Sequence, residues 1–297
     1  MKALKTLWQF ARPHTIIGSF ISITTLYTMA LGEYSFTSHW LLLSLSLICG
    51  ICSNIVIVGI NQVQDVDIDR INKPRLPMAS GALSRRNALL IIYTCTFLAI
   101  FIASYISIIL FGVIALSLCI GFAYSLPPFF LKKHHLPAAL SITIVRGLLV
   151  NTGGFYVFTQ YMHGRGYFTE HLWLLTGFII AFSTVIAWYK DLPDMAGDKQ
   201  YNIKTLAILY SPKFVFRCGA FLIITAYSIT LFVLAANTIS TVNYILLSGH
   251  AALLMAFLLH LMSAKLTDKE CMSKFYKRFW WFFFAEYVLY FIAFIIQ

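Results

Sequence analysis

Carboxylates are scarce in this chain: Asp and Glu together number eleven among 297 residues, and charged residues of both signs make up only 11%. With 60% apolar residues and a mean hydropathy of +0.80, there is too little polar surface to coat a soluble globule. Strand-like alternation in ~10-residue segments is missing too, and lipid offers backbone amides no water, so helices rather than a barrel must carry the membrane spans. Apolar runs of bilayer-crossing length, about 17 to 25 residues each, fall near 14–32, 38–62, 88–108, 110–126, 137–159, 170–189, 214–236, 241–262 and 279–296. The expectation is an all-α integral membrane protein of about nine helices, with the third and fourth hardest to separate and residues 1–297 forming a single domain.

Other absences narrow the reading. The amino terminus has neither a small-residue cleavage site behind a short apolar core nor an Arg/Ser-rich transit stretch, because the first span starts almost at once. That favours a bacterial cytoplasmic membrane. Cys49 and Cys52 form a CxxC, but no second Cys or His pair at ligand spacing accompanies them, so helix packing is the expected role rather than zinc or redox chemistry. Half-helices broken by central Gly or Pro, a mark of many transporters, are not obvious.

What is present is first of all positive. Lys2, Lys5 and Arg12 precede the first span; Arg70, Lys73, Arg75, Arg85 and Arg86 lie in the second connection; Lys132 and Lys133 lie in the fourth. Lys190, Lys199, Lys204 and Lys213 follow in the sixth, and Lys265, Lys269, Lys274, Lys277 and Arg278 in the eighth, whereas the alternate connections hold only Arg165. Lys and Arg stay preferentially cytoplasmic, which puts the amino terminus inside and the carboxyl terminus outside. The net charge of +11 needs only anionic lipid headgroups as its partner. No nucleic acid and no obligatory protein partner are inferred.

The few acids are concentrated. Six of the eleven, Asp65, Asp67, Asp69, Asp191, Asp194 and Asp198, lie in NQVQDVDID and KDLPDMAGD, each directly after a membrane-length run. Both runs are even-numbered spans, so both clusters open on the same face. If helix geometry continues, Asn61, Asp65 and Asp69 recur at i, i+4, i+8, and Asp191, Asp194 and Asp198 at i, i+3, i+7, each set along one stripe. Asp67 points elsewhere, toward Arg70. Facing carboxylates near a bilayer are costly unless they hold something positive, and hard oxygen ligands suit Mg²⁺, which takes one or two carboxylates and completes its shell with water and phosphate. A diphosphate follows, with Lys73, Arg75, Lys132 and Lys190 available for its remaining oxygens. The competing reading is a cation pathway in a transporter, against which the acids sit at helix ends rather than in mid-membrane.

These motifs, together with FARPHTIIGS, the extension INKPRLPMASG, the segment AYSLPPFFLKKHHLPAA and the VRG that follows it, resemble the UbiA superfamily of membrane prenyltransferases, and within it the homogentisate prenyltransferases of tocopherol and plastoquinone synthesis. The resemblance covers nearly the whole chain. It implies about nine helices around a central cavity, a lipid-facing opening for the isoprenoid tail, and prenyl diphosphate and aromatic acid substrates. Asp65, Asp69, Asp194 and Asp198 would hold Mg²⁺, with Asn61 and the adjacent Gln62 on the substrate side. Asp191, beside Lys190, would orient or deprotonate the acceptor. Tyr124 and Ser125 match the family's YSxPP element and Lys132 the basic position after it, whereas Phe129 and Phe130 stand where relatives usually carry a basic residue. The implied reaction is prenyl transfer to homogentisate with decarboxylation; 4-hydroxybenzoate or a naphthoate is the alternative acceptor.

Arg146 falls inside the fifth span, where a charge needs a partner; a place near the pocket mouth and a buried ion pair both satisfy that need. His250, His260 and Glu286 read as packed, hydrogen-bonded polar groups. The spacing between Asp65 and Asp191 hints at a duplicated four-helix unit plus one extra helix. Because Asp65 and Asp194 are assigned to metal rather than to packing, Asp65→Ala or Asp194→Ala is expected to abolish turnover while membrane insertion stays intact, with Asp67→Asn milder. Equal loss of activity in all three, measured on membranes with matched protein levels, would remove the assignment.

Overall fold

The computed structural model describes residues 2–237, 240–266 and 268–296. Its helices are α1 (Lys2–Phe10), α2 (Pro13–Ala30), α3 (Trp40–Gln64), α4 (Val66–Asn72), α5 (Arg85–Ile106), α6 (Ile108–Ser125), α7 (His135–Ile142) and α8 (Gly154–His163). They continue as α9 (Glu170–Tyr189), α10 (Met195–Gln200), α11 (Leu206–Leu209), α12 (Pro212–Ala236), α13 (Thr241–Met262) and α14 (Lys269–Ile295). Eight stretches are long and apolar enough to cross a membrane, with His135–His163 counting as one. The ninth expected span is α2, a full 18 residues long but interrupted by six Ser and Thr. These hydroxyls are not lipid-facing errors: Thr15, Ser19 and Ser22 line an internal cavity, and Thr25 donates to the Tyr287 carbonyl of α14 at 3.0 Å.

The two spans that hydropathy merges are separated by one residue. Ser107 is extended (φ −167°, ψ 154°), and its hydroxyl accepts from Leu110 N at 3.0 Å to cap α6, an N-cap that satisfies one orphan donor of the new helix. The last helix begins at Lys269, well before the apolar run at 279, because Asp268 caps it by accepting from Cys271 N at 2.8 Å and Phe275 already enters the core.

One end of the bundle gathers the functional segments. Gln62 near the end of α3 donates to the Phe10 carbonyl at the end of α1, and Lys269 at the start of α14 reaches the Ile71 carbonyl of α4. At the opposite end His163 meets the Ala30 carbonyl and His171 meets Asn243. Two apolar cores follow from this arrangement. The larger joins α2, α9 and α12 to α14, while the smaller joins Phe10 to α3, α5 and α6. The CxxC lies in the smaller one, with both thiols free and Cys49 donating to the Ala99 carbonyl of α5.

Within the larger core, His250 Nε2 and Glu286 Oε1 lie 2.7 Å apart with no exposure on either side, and His250 Nδ1 is 2.6 Å from the Leu246 carbonyl. The pair ties α13 to α14 in a place where removing one partner would strand the other in hydrocarbon.

The fifth expected span holds a surprise in its winding. Residues Thr143–Gly153 are π-helical, a widened form that clusters at functional sites. A Cβ on Gly147 would come within 2.9 Å of an Ile180 side-chain carbon and 3.1 Å of that residue's Cα, so the missing side chain lets the segment lie directly on α9. Gly147→Val is therefore expected to overpack this contact and cost about 1–3 kcal/mol, read as a lowered thermal midpoint in detergent; an unchanged midpoint would show that the two backbones are free to part.

Candidate functional site

Asp65 leaves helical geometry at the end of α3 (φ −100°, ψ 17°), yet the hydrogen-bond register passes through it. Asp65 N donates to Asn61 O, Asp69 N to Asp65 O and Lys73 N to Asp69 O, at 2.9, 2.7 and 2.7 Å. Asn61, Asp65, Asp69 and Lys73 thus follow one line down the motif, as an i, i+4 recurrence requires. Asp67 points away, exposed, and pairs with Arg70 at 2.8 Å.

The second motif is built differently from a continuous stripe. After α9 the chain turns, with Asp191 N donating to Trp188 O at 3.3 Å and Asp194 N to Asp191 O at 3.2 Å, and only Asp198 sits inside the short α10. Pro193 removes an amide donor in this turn, which suits a break rather than a helix.

The two motifs clasp each other through Asn72. Its Nδ2 donates to Asp198 Oδ1 at 3.3 Å, and its Oδ1 accepts from Gly197 N at 3.0 Å. A Cβ on Gly197 would overlap the same carboxamide, at 2.6 to 2.7 Å from its atoms, so glycine is required for the approach. Lysines complete the contact: Lys73 pairs with Asp194 and Lys132 with Asp65, and Lys190 Nζ lies 2.5 Å from Asp191 Oδ1. Lys132 also sits 4.7 Å above the ring of Phe130, with Lys133 at 4.9 Å. An aromatic face therefore steadies the ammonium groups in the loop where a further cation was expected.

Charge and burial explain the titration behaviour at this mouth. Burial raises Asp191 and outweighs the opposing pull of Lys190. Burial likewise raises Asp69, against Lys73 and Arg12. Asp198 is pushed up to about 7 by burial and then by the neighbouring Asp191. Burial opposes the charge on Lys190, yet Asp191 and Tyr124 hold it well above its ordinary value; Lys132 is lowered because burial prevails over Asp65.

Five motif carboxylates meet three ammonium groups and the guanidinium of Arg12, so negative charge stays in excess. Among the described residues no three His, Cys, Asp or Glu side chains converge closely enough to cage a cation alone. The donor set fits Mg²⁺ of the kind that takes a few carboxylate oxygens and leaves the rest of its octahedron to phosphate and water. Asp65, Asp69, Asp194 and Asp198 would hold it.

Behind the mouth lies a cavity of about 250 Å³. Arg12, Asn61, Tyr124 and Lys190 line it, as do Ile57, Val113, Val145 and Phe283. Its α3 wall runs from Gly50 to Asn61, a depth of about 16 Å at 1.5 Å per residue. Ser125 is fully buried, and its Oγ takes a bond from Asn61 Nδ2 at 3.4 Å. Arg146 enters the cavity with its guanidinium 4.8 Å from the Trp280 ring and 5.6 Å from Phe283; the buried ion pair that was one option for it does not form among the described residues.

Two predicted site residues lie apart. Gln62 is fully buried and committed to the Phe10 carbonyl at 2.6 Å, on the side of α3 away from the cavity. Arg75 is exposed in the turn after α4. Conversely, His14, Tyr276 and Trp280 line the cavity without having been singled out. His14 follows the Arg12-Pro13 pair and could have been read with it. Nothing local marks Trp280, one of many aromatics in α14.

Residues 21–283 match the UbiA prenyltransferase family. The chain is 37% identical to the homogentisate phytyltransferase of Synechocystis sp., with 99% of this chain and 96% of the relative covered. It is 33% identical to the homogentisate geranylgeranyltransferase of Triticum aestivum, covering 97% of this chain and 72% of that one. Its fold is similar to that of a UbiA homolog from Archaeoglobus fulgidus bound to GPP and Mg²⁺, with a TM-score of 0.66 at 16% identity over 98% of this chain and 100% of that one.

Because the Asp198 value is raised above that of an unfolded chain, its contribution to stability is present at low pH and is lost as pH rises through about 7. Metal-free protein in detergent is therefore expected to unfold at a lower temperature near pH 8 than near pH 6, and Asp198→Asn to remove most of that difference, by scanning fluorimetry. Protection by added Mg²⁺ should grow over the same interval. An identical pH slope in the variant would place the titrating group elsewhere.

Proposed function

This chain belongs to the UbiA prenyltransferase family, and from that premise we propose that it transfers an isoprenyl group from an allylic prenyl diphosphate to homogentisate, with loss of CO₂, in tocopherol- or prenylquinone-type synthesis. The observation that carries the reading is the meeting of both acidic motifs and their lysines at the mouth of a cavity walled largely by hydrocarbon. Homogentisate is favoured as acceptor by the relatives that share nearly the full length of the chain.

Lys73, Lys132 and Arg12 supply cationic groups for the diphosphate oxygens at this mouth. Their charge is already arranged before substrate arrives, which is what makes electrostatic help effective in a transition state. Mg²⁺, when bound by the motif aspartates, supplies further stabilisation of the negative charge growing on the leaving group. Ile57, Val113, Val145 and Phe283 keep water from the allylic cation that would otherwise be quenched. Asp191, with its raised affinity for a proton, accepts the acceptor's hydroxyl proton as the ring attacks, since a base works best when its pKa lies near the working pH. The C–C bond forms as the allylic C–O bond to diphosphate breaks; the ring carbon then gives up its proton, the side-chain methylene takes one up as CO₂ leaves, and Asp191 returns the hydroxyl proton. Lys190 holds that carboxylate in place, and Tyr124 in turn contacts Lys190.

The protein is a multi-pass integral membrane protein. The lopsided Lys and Arg distribution supports a cytoplasmic placement of the amino terminus and both motifs.

Membranes containing the chain, incubated with labelled geranylgeranyl diphosphate and homogentisate, are expected to yield a labelled lipid-soluble aromatic product with Mg²⁺ and none with EDTA. Ion uptake into vesicles without any labelled product would overturn the assignment in favour of a transporter.

A further inference from the structure

Resting on the prenyl-transfer reading, we infer that Arg146, seated on Trp280, is the acceptor-recognition residue, and that it takes the carboxylate of the aromatic substrate. Three observations converge on this. First, Arg146 makes no hydrogen bond or ion pair to any described residue; its contacts are the faces of Trp280 and Phe283, at 4.8 and 5.6 Å. A guanidinium inside the bundle with all five donors free is costly unless an anion arrives. Second, the ring beneath the guanidinium is held in place: Trp280 is buried, with Tyr276 as the hydrogen-bonding neighbour of its indole.

Third, the backbone is shaped to aim this arginine. Ser141, Val145, Arg146 and Val150 all line the cavity. In an α-helix the nine steps from Ser141 to Val150 would make about two and a half turns and put these two residues on opposite faces. The wider π winding of Thr143–Gly153 brings them to one face and carries Arg146 with it. The amide of Asn151 fixes the segment on both sides, donating to the Gly147 carbonyl at 2.9 Å and accepting from the Tyr287 hydroxyl at 2.7 Å.

The choice of anion follows from what surrounds the two groups of cations. Lys73, Lys132 and Lys190 each touch a motif aspartate, where a diphosphate and its metal belong. Arg146 touches none of them, and its neighbours are aromatic: Trp280, Phe283, Tyr276 and Tyr287. Such walls fit a benzene ring, and a planar guanidinium matches a carboxylate with two parallel hydrogen bonds. An aromatic acid satisfies both at once, and homogentisate carries the required carboxylate one methylene away from its ring.

The test measures discrimination rather than activity alone. Arg146→Gln is expected to raise KM for homogentisate roughly 10- to 100-fold, as loss of a hydrogen-bonded charge implies, and to lower the ratio of homogentisate to methylhydroquinone turnover by a similar factor. Arg146→Lys keeps the charge without the bidentate fork and should recover part of the loss. Equilibrium binding of geranylgeranyl diphosphate in detergent, with and without Mg²⁺, should match the unsubstituted protein in both variants, which also reports folding. Weakened diphosphate binding with an unchanged acceptor ratio would overturn the inference in favour of a phosphate contact, and an unchanged ratio with unchanged binding would leave Arg146 as packing. If the unsubstituted protein turns over no homogentisate, the proposed reaction fails instead. Tryptophan quenching by carboxylated against carboxylate-free hydroquinones then still decides whether Arg146 selects the carboxylate.

Discussion

The whole arrangement depends on five carboxylates held together at the edge of hydrocarbon. Left to themselves, Asp65, Asp69, Asp191, Asp194 and Asp198 would drive α4 and α10 apart or take up protons. Three lysines from three different segments prevent this, each in contact with one acid, and Asn72 bridges the two motifs with hydrogen bonds in both directions. The neutralisation is incomplete, and Asp198 is raised first by burial and then by the charge of Asp191. A site in this condition is ready for a divalent cation and an anionic ligand together, because neither alone balances it.

Behind that charged rim the cavity changes character, and the change is what reactive chemistry needs. In the proposed reaction, a cation formed at the mouth would meet walls such as Ile57, Val113 and Val145 that offer it no nucleophile. Polar groups also reach inward, and two of the segments that supply them give up something to do so. Helix α2 surrenders apolarity by carrying Thr15, Ser19 and Ser22, and the segment Thr143–Gly153 surrenders α-helical winding. Both departures fall on the cavity, whereas the lipid-facing helices α5 and α12 keep ordinary geometry and hydropathy.

Helix α14 links stability to the site. One side carries Tyr276, Trp280, Phe283 and Tyr287 to the cavity. Its other side carries Glu286 to His250, a fully buried pair on α13. Rotation of α14 would break that pair and swing the aromatic wall at the same time, so the buried polar contact fixes the angle at which Trp280 meets Arg146. The direction of coupling is physical: a stranded carboxylate in a low-dielectric core is far costlier than a displaced ring.

Composition and spacing determined the class of the molecule. Hydropathy placed the spans, since the bilayer fixes their length whatever their neighbours are. The i, i+4 recurrence of Asn61, Asp65 and Asp69 and the outward turn of Asp67 were equally legible, because both are properties of a single helix. Tertiary structure alone decided which charges meet. Lys132 and Asp65 are 67 residues apart, and Lys73 and Asp194 are 121 apart, so no local pattern pairs them. The same holds for Gln62, which sits in the motif but turns to Phe10, and for Trp280, an aromatic among many until α14 brings it under Arg146. A helix's own periodicity is written along the chain, whereas the partner each face finds depends on how the whole bundle closes.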